Sequence, residues 1–74
     1  MTIYAIYYLD DGDRDYFMRR EDAQNCGIEY IRQVCEEENW DPQETESLVD
    51  DFLRDGWVAG ICVLEDIYVK EYQL

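Results

Sequence analysis

Asp10, Asp11, Asp13 and Asp15 fall within six residues around Gly12. Carboxylates at that density could ligate a divalent cation. Taking Asp11 as the first position of a twelve-residue calcium loop places Asp13 and Asp15 at positions three and five, and Asp22 at position twelve. Such a loop needs a preceding helix, glycine at position six and a bidentate glutamate at twelve. Here position six is Tyr16, position twelve is Asp22, and a strand-like run precedes. No metal site is expected. A hairpin turn fits better, because Asp-Asp-Gly-Asp between two β-rich runs has the side-chain chemistry that turns need. A turn accounts for the glycine and one aspartate, and leaves the others as surface charge.

Other chemistries find less support. Paired carboxylates can perform glycosidase-type acid–base work, but that requires a cleft, which a domain of 74 residues rarely builds. Histidine is absent, so Cys–His and Ser–His nucleophiles are unavailable and a zinc site lacks its usual partners. Cys26, Cys35 and Cys62 are an odd number with no C-x-x-C spacing, as expected of reduced thiols in a cytosol. Neither a signal peptide, nor an apolar run near membrane-spanning length, nor a lipidation motif is evident. The expectation is a cytoplasmic, non-enzymatic chain with no cofactor.

The elements that must position the carboxylates are legible as periodicities. Thr2–Leu9, TIYAIYYL, is β-branched and aromatic and predicts a strand; Tyr16–Met18 predicts a short second one. Arg19–Asn39 has helical periodicity, with Ala23, Gly27, Tyr30, Ile31 and Val34 in one stripe, Cys26 and Cys35 at its margins, and Glu21 and Asp22 in the first turn. Gly27 in mid-helix implies close packing on a sheet. Asp41-Pro42-Gln43-Glu44 opens a second helix with an N-cap, a proline at the first position and a capping-box glutamate. Its buried face reads as Thr45, Leu48, Val49, Phe52 and Leu53, and Gly56 ends it. Trp57–Tyr72 returns to strand character, with alternation slipping at Glu65-Asp66, where a bulge or short break is expected. The predicted fold is α+β: one ββααβ domain over residues 1–74, a three-stranded antiparallel sheet of order 2-1-3, and both helices on one face.

The charge is far from balanced. Six Lys+Arg stand against 19 Asp+Glu, net −13, whereas solubility needs a net charge of only about 2–8 in magnitude. This excludes direct binding to nucleic acid or an anionic membrane, which both require basic surfaces. A basic protein is the natural partner. On the second helix, Glu44, Asp51 and Asp55 share one edge of the exposed face, and Glu46 and Asp50 the other. Helical rise separates Glu44 from Asp51 by about 10 Å and Asp51 from Asp55 by about 6 Å, comparable to phosphate spacing. Glu36, Glu37, Glu38 and Asp41 lie just upstream. On the first helix, Arg32 sits within reach of Glu29 and Glu36, a spacing that favours local ion pairs.

Size scaling gives a folded surface of roughly 4,800 Å². Net −13 is then about one charge per 370 Å², against about one per 110 Å² for duplex DNA. An even spread falls roughly threefold short of DNA, so imitation of a nucleic acid requires clustering. Glu36–Asp41 and the second helix are where the sequence offers it, with Asp10, Asp11, Asp13 and Asp15 as a further candidate contact.

Short length, extreme acidity, tyrosine-rich strands and no catalytic motif together resemble small phage- or mobile-element-encoded inhibitors of host defence, namely anti-CRISPR and anti-restriction proteins of the DNA-mimic type. Ile3–Val34, which runs strand, turn, strand and then a helix beginning near "RREDA", is also similar to small phage proteins of unknown function. The likeness implies an inhibitor, in the host cytoplasm, of a basic nucleic-acid-binding protein such as a CRISPR effector or restriction enzyme. It rests on composition and element order, so the site residues are this chain's own carboxylates, with Tyr4 or Tyr8, Tyr68 and Tyr72 as stacking candidates. The second reading is a homodimeric interaction module of phage origin, without mimicry, joined through an open sheet face or a strand edge.

Overall fold

In a computed structural model, two helices pack on one face of a four-stranded antiparallel sheet. The structure describes residues 1–8, 12–62 and 65–74, with 8, 13, 14, 59–62, 65 and 66 described by backbone alone. The elements are β1 (Thr2–Tyr8), β2 (Gly12–Phe17), α1 (Arg20–Glu37), α2 (Pro42–Asp55), β3 (Trp57–Cys62) and β4 (Glu65–Gln73), and the sheet order is β2-β1-β4-β3.

The α+β class and the helices on one face match the expectation; the strand count does not. The expected single strand over Trp57–Tyr72 is two strands: of the bulge or short break expected at Glu65-Asp66, the structure has a break, with β4 starting at Glu65 and running antiparallel to β3. One strand of that length would extend about 50 Å, beyond the 39 Å longest dimension of the molecule. The chain therefore folds back, β4 takes the place beside β1 foreseen for the third strand, and β3 becomes an edge. The second strand is also longer than Tyr16–Met18: Asp13 and Asp15 lie within its ladder, opposite Tyr7 and Ile6, with a bulge between those pairs. That ladder occupies the stretch a calcium loop starting at Asp11 would need. Asp10 and Asp11 lie outside the described residues.

The core forms between the helices and one face of the sheet. Ile6, Ile67 and Val58 from the strands meet Ala23, Ile31 and Cys35 of α1 and Val49 and Phe52 of α2. Cys35, expected at the stripe's margin, is 1% exposed, whereas Leu53, expected to be buried, is exposed. Gly27 is required for close approach: a Cβ there would stand 2.8 Å from Phe52 Cε2 and 3.1 Å from Ile6 Cδ1. α2 begins as its sequence dictates, with the Asp41 carboxylate accepting from the Gln43 amide (2.7 Å) and Pro42 in the first turn. It ends at Gly56, whose φ of 81° is left-handed and inexpensive only for glycine. The two ends of the chain are joined, Leu74 N donating to Met1 O (2.7 Å) and Thr2 Oγ1 to Gln73 Oε1 (3.0 Å).

Candidate acidic interface

The connection between the helices determines where the carboxylates gather. Trp40 N donates to Cys35 O (2.9 Å) and Trp40 packs half-buried against the core, so the chain turns sharply through residues 38–41. Asn39 adopts φ 58° in this turn, a left-handed conformation that asparagine tolerates better than most residues. The turn leads from the last turn of α1, with Glu36 and Glu37, into the first turn of α2, with Glu44, and all three side chains are exposed. A shallow hollow of about 320 Å³ at this corner is lined by Arg32, Glu36, Trp40, Pro42, Thr45 and Glu46.

The corner opposes the helix dipole. The C-terminus of a helix carries partial negative charge and favours cations, but the last turn of α1 has no basic residue and ends in Glu36 and Glu37, with Glu38 as the C-cap. Glu37 accepts from Gln33 Nε2 (3.3 Å) and Glu38 from Trp40 Nε1 (3.1 Å); neither donor carries charge. Among the described residues, no cation pairs with Glu36, Glu37, Glu38, Glu44 or Asp50.

The remaining candidates are committed elsewhere. Arg54 bonds Asp51 (2.9 Å) and Asp55 (3.2 Å), so two members of the expected Glu44–Asp51–Asp55 stripe share one guanidinium. Arg32 donates to both carboxylate oxygens of Glu46 across the helix pair, where Glu29 or Glu36 was expected, and holds the Glu46 carboxyl below its usual value. The Asp41 side chain is used as an N-cap. Asp15 is tied to α1: its Oδ2 accepts from Tyr30 (2.9 Å) and from the Cys26 thiol (3.7 Å). Losing this hydrogen bond and placing a phenolate beside a carboxylate would both be costly, so the Tyr30 phenol is pushed up to about 12. Burial is the main cause that raises the Cys26 thiol. Asp15 thus fastens β2 to the helix, Asp13 has a described place only in the ladder, and Asp10 and Asp11 lie outside the described residues.

The aromatic candidates also change. Tyr4 faces the helices and packs against the core. On the opposite face, Tyr7 of β1 stands against Tyr68 of β4 with ring centroids 4.6 Å apart, and the Lys70 ammonium lies 4.9 Å from the Tyr7 ring and 5.1 Å from that of Tyr72. Tyr7 could not be chosen from sequence, because both alternating sets of β1 are apolar. The partner strand held the signal: Ile67 and Val69 share a face and Tyr68, Lys70 and Tyr72 the other, and the aliphatic set is the buried one.

Neither helix is long and apolar enough to cross a membrane, among the described residues. No family model matches the chain, nor does any curated protein or solved structure.

Proposed function

We propose that the chain is a non-enzymatic binding protein that occupies a Lys/Arg-lined nucleic-acid groove on a basic partner, with carboxylates standing where phosphates would lie. The observation that carries this reading is the corner of α1 and α2. Glu36 and Glu37 are exposed, unpaired with any described cation, and set at the negative end of the α1 dipole, and Glu44, likewise exposed and unpaired, stands in the first turn of α2. The α1 pair raises the free energy of the fold instead of lowering it, and solubility does not require charges of this number.

Imitation of a nucleic acid requires clustered charge, because the average over the surface is too low. Net −13 over 4814 Å² is about one charge per 370 Å², well below the density of duplex DNA. Arg54 neutralises part of the end of the helical layer, and Arg32, which lines the corner hollow, is taken up by Glu46, so that Glu36, Glu37 and Glu44 keep no described cation of their own. The resemblance to small phage-encoded inhibitors of host defence gives the partner class: a nuclease or effector complex of a defence system.

The test is capture of partners from host lysate on immobilised protein at low salt and release at high salt, then binding of the released protein by variants. Reversing Glu36, Glu37 and Glu44 together to Lys should slow association and weaken binding, since exposed charges act chiefly on encounter. Reversing the ion-paired set Glu46, Asp51 and Asp55 should weaken it less. Equal binding by the folded corner variant and wild type would overturn the reading.

A further inference from the structure

We propose that the hollow between α1 and α2 receives one arginine side chain of the basic partner, its guanidinium stacked on Trp40 and bonded to Glu36. The inference rests on the partner-binding reading and names the group that this part of the surface takes. The hollow has an apolar side, Trp40 and Pro42, and a polar side that includes Glu36, Arg32 and Glu46. Trp40 is fixed at both ends of the residue: its backbone N donates to Cys35 O (2.9 Å) and its Nε1 to Glu38 (3.1 Å). The indole has one donor, and Glu38 takes it. What the half-buried ring still offers the hollow is its π surface.

Charge and size identify the occupant. Both terminal nitrogens of Arg32 are turned to Glu46, so that cation is already offset. Glu36 has no cation among the described residues, which leaves the hollow one negative charge in excess. A volume of about 320 Å³ admits a side chain, whereas a helix about 10 Å across is too wide. An acidic or phosphate group would meet an uncompensated carboxylate, and an apolar one would leave it without a complement. Arginine meets both walls at once, because the planar guanidinium stacks on an aromatic face while its edge donates to a carboxylate. It is also more weakly hydrated than the lysine ammonium, a compact charge that cannot stack. The preference for arginine over lysine comes from the ring; the preference for a cation comes from Glu36.

Tetra-arginine and tetra-lysine peptides, each carrying a fluorophore, are the probes, with affinity read by anisotropy at ~0.1 M and ~0.5 M NaCl. Tetra-arginine should bind about three- to fivefold more tightly. Both should weaken at the higher salt with their ratio kept, since salt screens charge and not stacking. In Trp57→Phe, where Trp40 is the one tryptophan left, unlabelled tetra-arginine should change the emission saturably. Glu36→Gln should weaken tetra-arginine more than Asp50→Asn, which removes an equal charge outside the hollow. Trp40→Leu should bind the two peptides alike. Equal affinity for the two peptides in wild type, with both weakened by salt, overturns this inference and leaves the acidic-groove reading standing. Absence of any binding at the lower salt contradicts both. Trp40 emission unmoved at saturation, or an arginine preference that persists in folded Trp40→Leu, also overturns the hollow. If Trp40→Leu fails to fold, the emission of Trp57→Phe and the comparison of Glu36→Gln with Asp50→Asn decide.

Discussion

Reversing Glu36 and Glu37 to Lys should make this protein more stable. Both are exposed, in the last turn of α1, where no basic residue offsets the helix dipole. A charge at a helix end is worth about 0.3–1 kcal/mol in either direction. Reversal turns an unfavourable charge into a favourable one, so each site should contribute roughly 0.6–2 kcal/mol, and screening at physiological salt keeps the pair near the low end, about 1–2 kcal/mol. Each reversal adds two units of charge, bringing the net from −13 to −9, which also relieves self-repulsion. For a chain of this size about 4–8 °C of melting temperature accompanies each kcal/mol, so a rise of about 5–15 °C is expected. Glu38 is left in place because it holds Trp40. Thermal unfolding followed by circular dichroism at two ionic strengths is the assay, and the gain should shrink at higher salt. An unchanged or lower melting temperature in a two-state transition would refute the claim that the corner is electrostatically costly.

Gly27→Ala should destabilise by up to about 2 kcal/mol in urea unfolding, because overpacking against Phe52 and Ile6, at about 1–3 kcal/mol, exceeds a helix-propensity gain of about 1 kcal/mol; a stabilised variant would show that the approach is not close. Tyr30 should ionise near pH 12 when phenolate absorbance is followed, and that phase should vanish in Tyr30→Phe and move down in Asp15→Asn. Because the folded value lies above the ordinary value of 10, its contribution to stability is complete below about pH 10 and is lost as pH rises toward about 12; stability that increases over that window would contradict the Tyr30–Asp15 bond. Arg54→Ala, which releases Asp51 and Asp55, should leave the melting temperature nearly unchanged and speed association with the basic partner in stopped-flow measurements. Unchanged association would show that the ion-paired carboxylates take no part.

Local rules were enough for α2, and non-local ones decided the rest. Asp41, Pro42 and Gly56 are signals that act within one turn, and each sits where its chemistry requires. Gly27 announced a close approach that Phe52 and Ile6 supply. The division of Trp57–Tyr72 into β3 and β4 was visible only as a lapse in alternation, since a hairpin and a bulge interrupt the pattern alike. The phase of β1 was hidden for a different reason: Ile3, Ala5 and Tyr7 are as apolar as Tyr4, Ile6 and Tyr8, so only the pairing with β4 separates core from open face. Among the candidate carboxylates, the Asp51–Arg54–Asp55 group lay within a single turn and its mutual neutralisation could have been read directly. The Arg32–Glu46 and Asp15–Tyr30 bonds join residues 14 and 15 positions apart; they depend on how α1 meets α2 and β2, which no local spacing encodes.

The claim that this acidic corner stands in for a nucleic acid is tested most directly by competition. A captured basic partner is saturated with this protein, duplex DNA is titrated in, and the bound fraction is followed by fluorescence anisotropy at two salt concentrations. Mutually exclusive binding is predicted: DNA displaces the protein fully, and the protein's own affinity falls as salt rises. A ternary complex at saturating DNA, or an affinity indifferent to salt, would contradict the account.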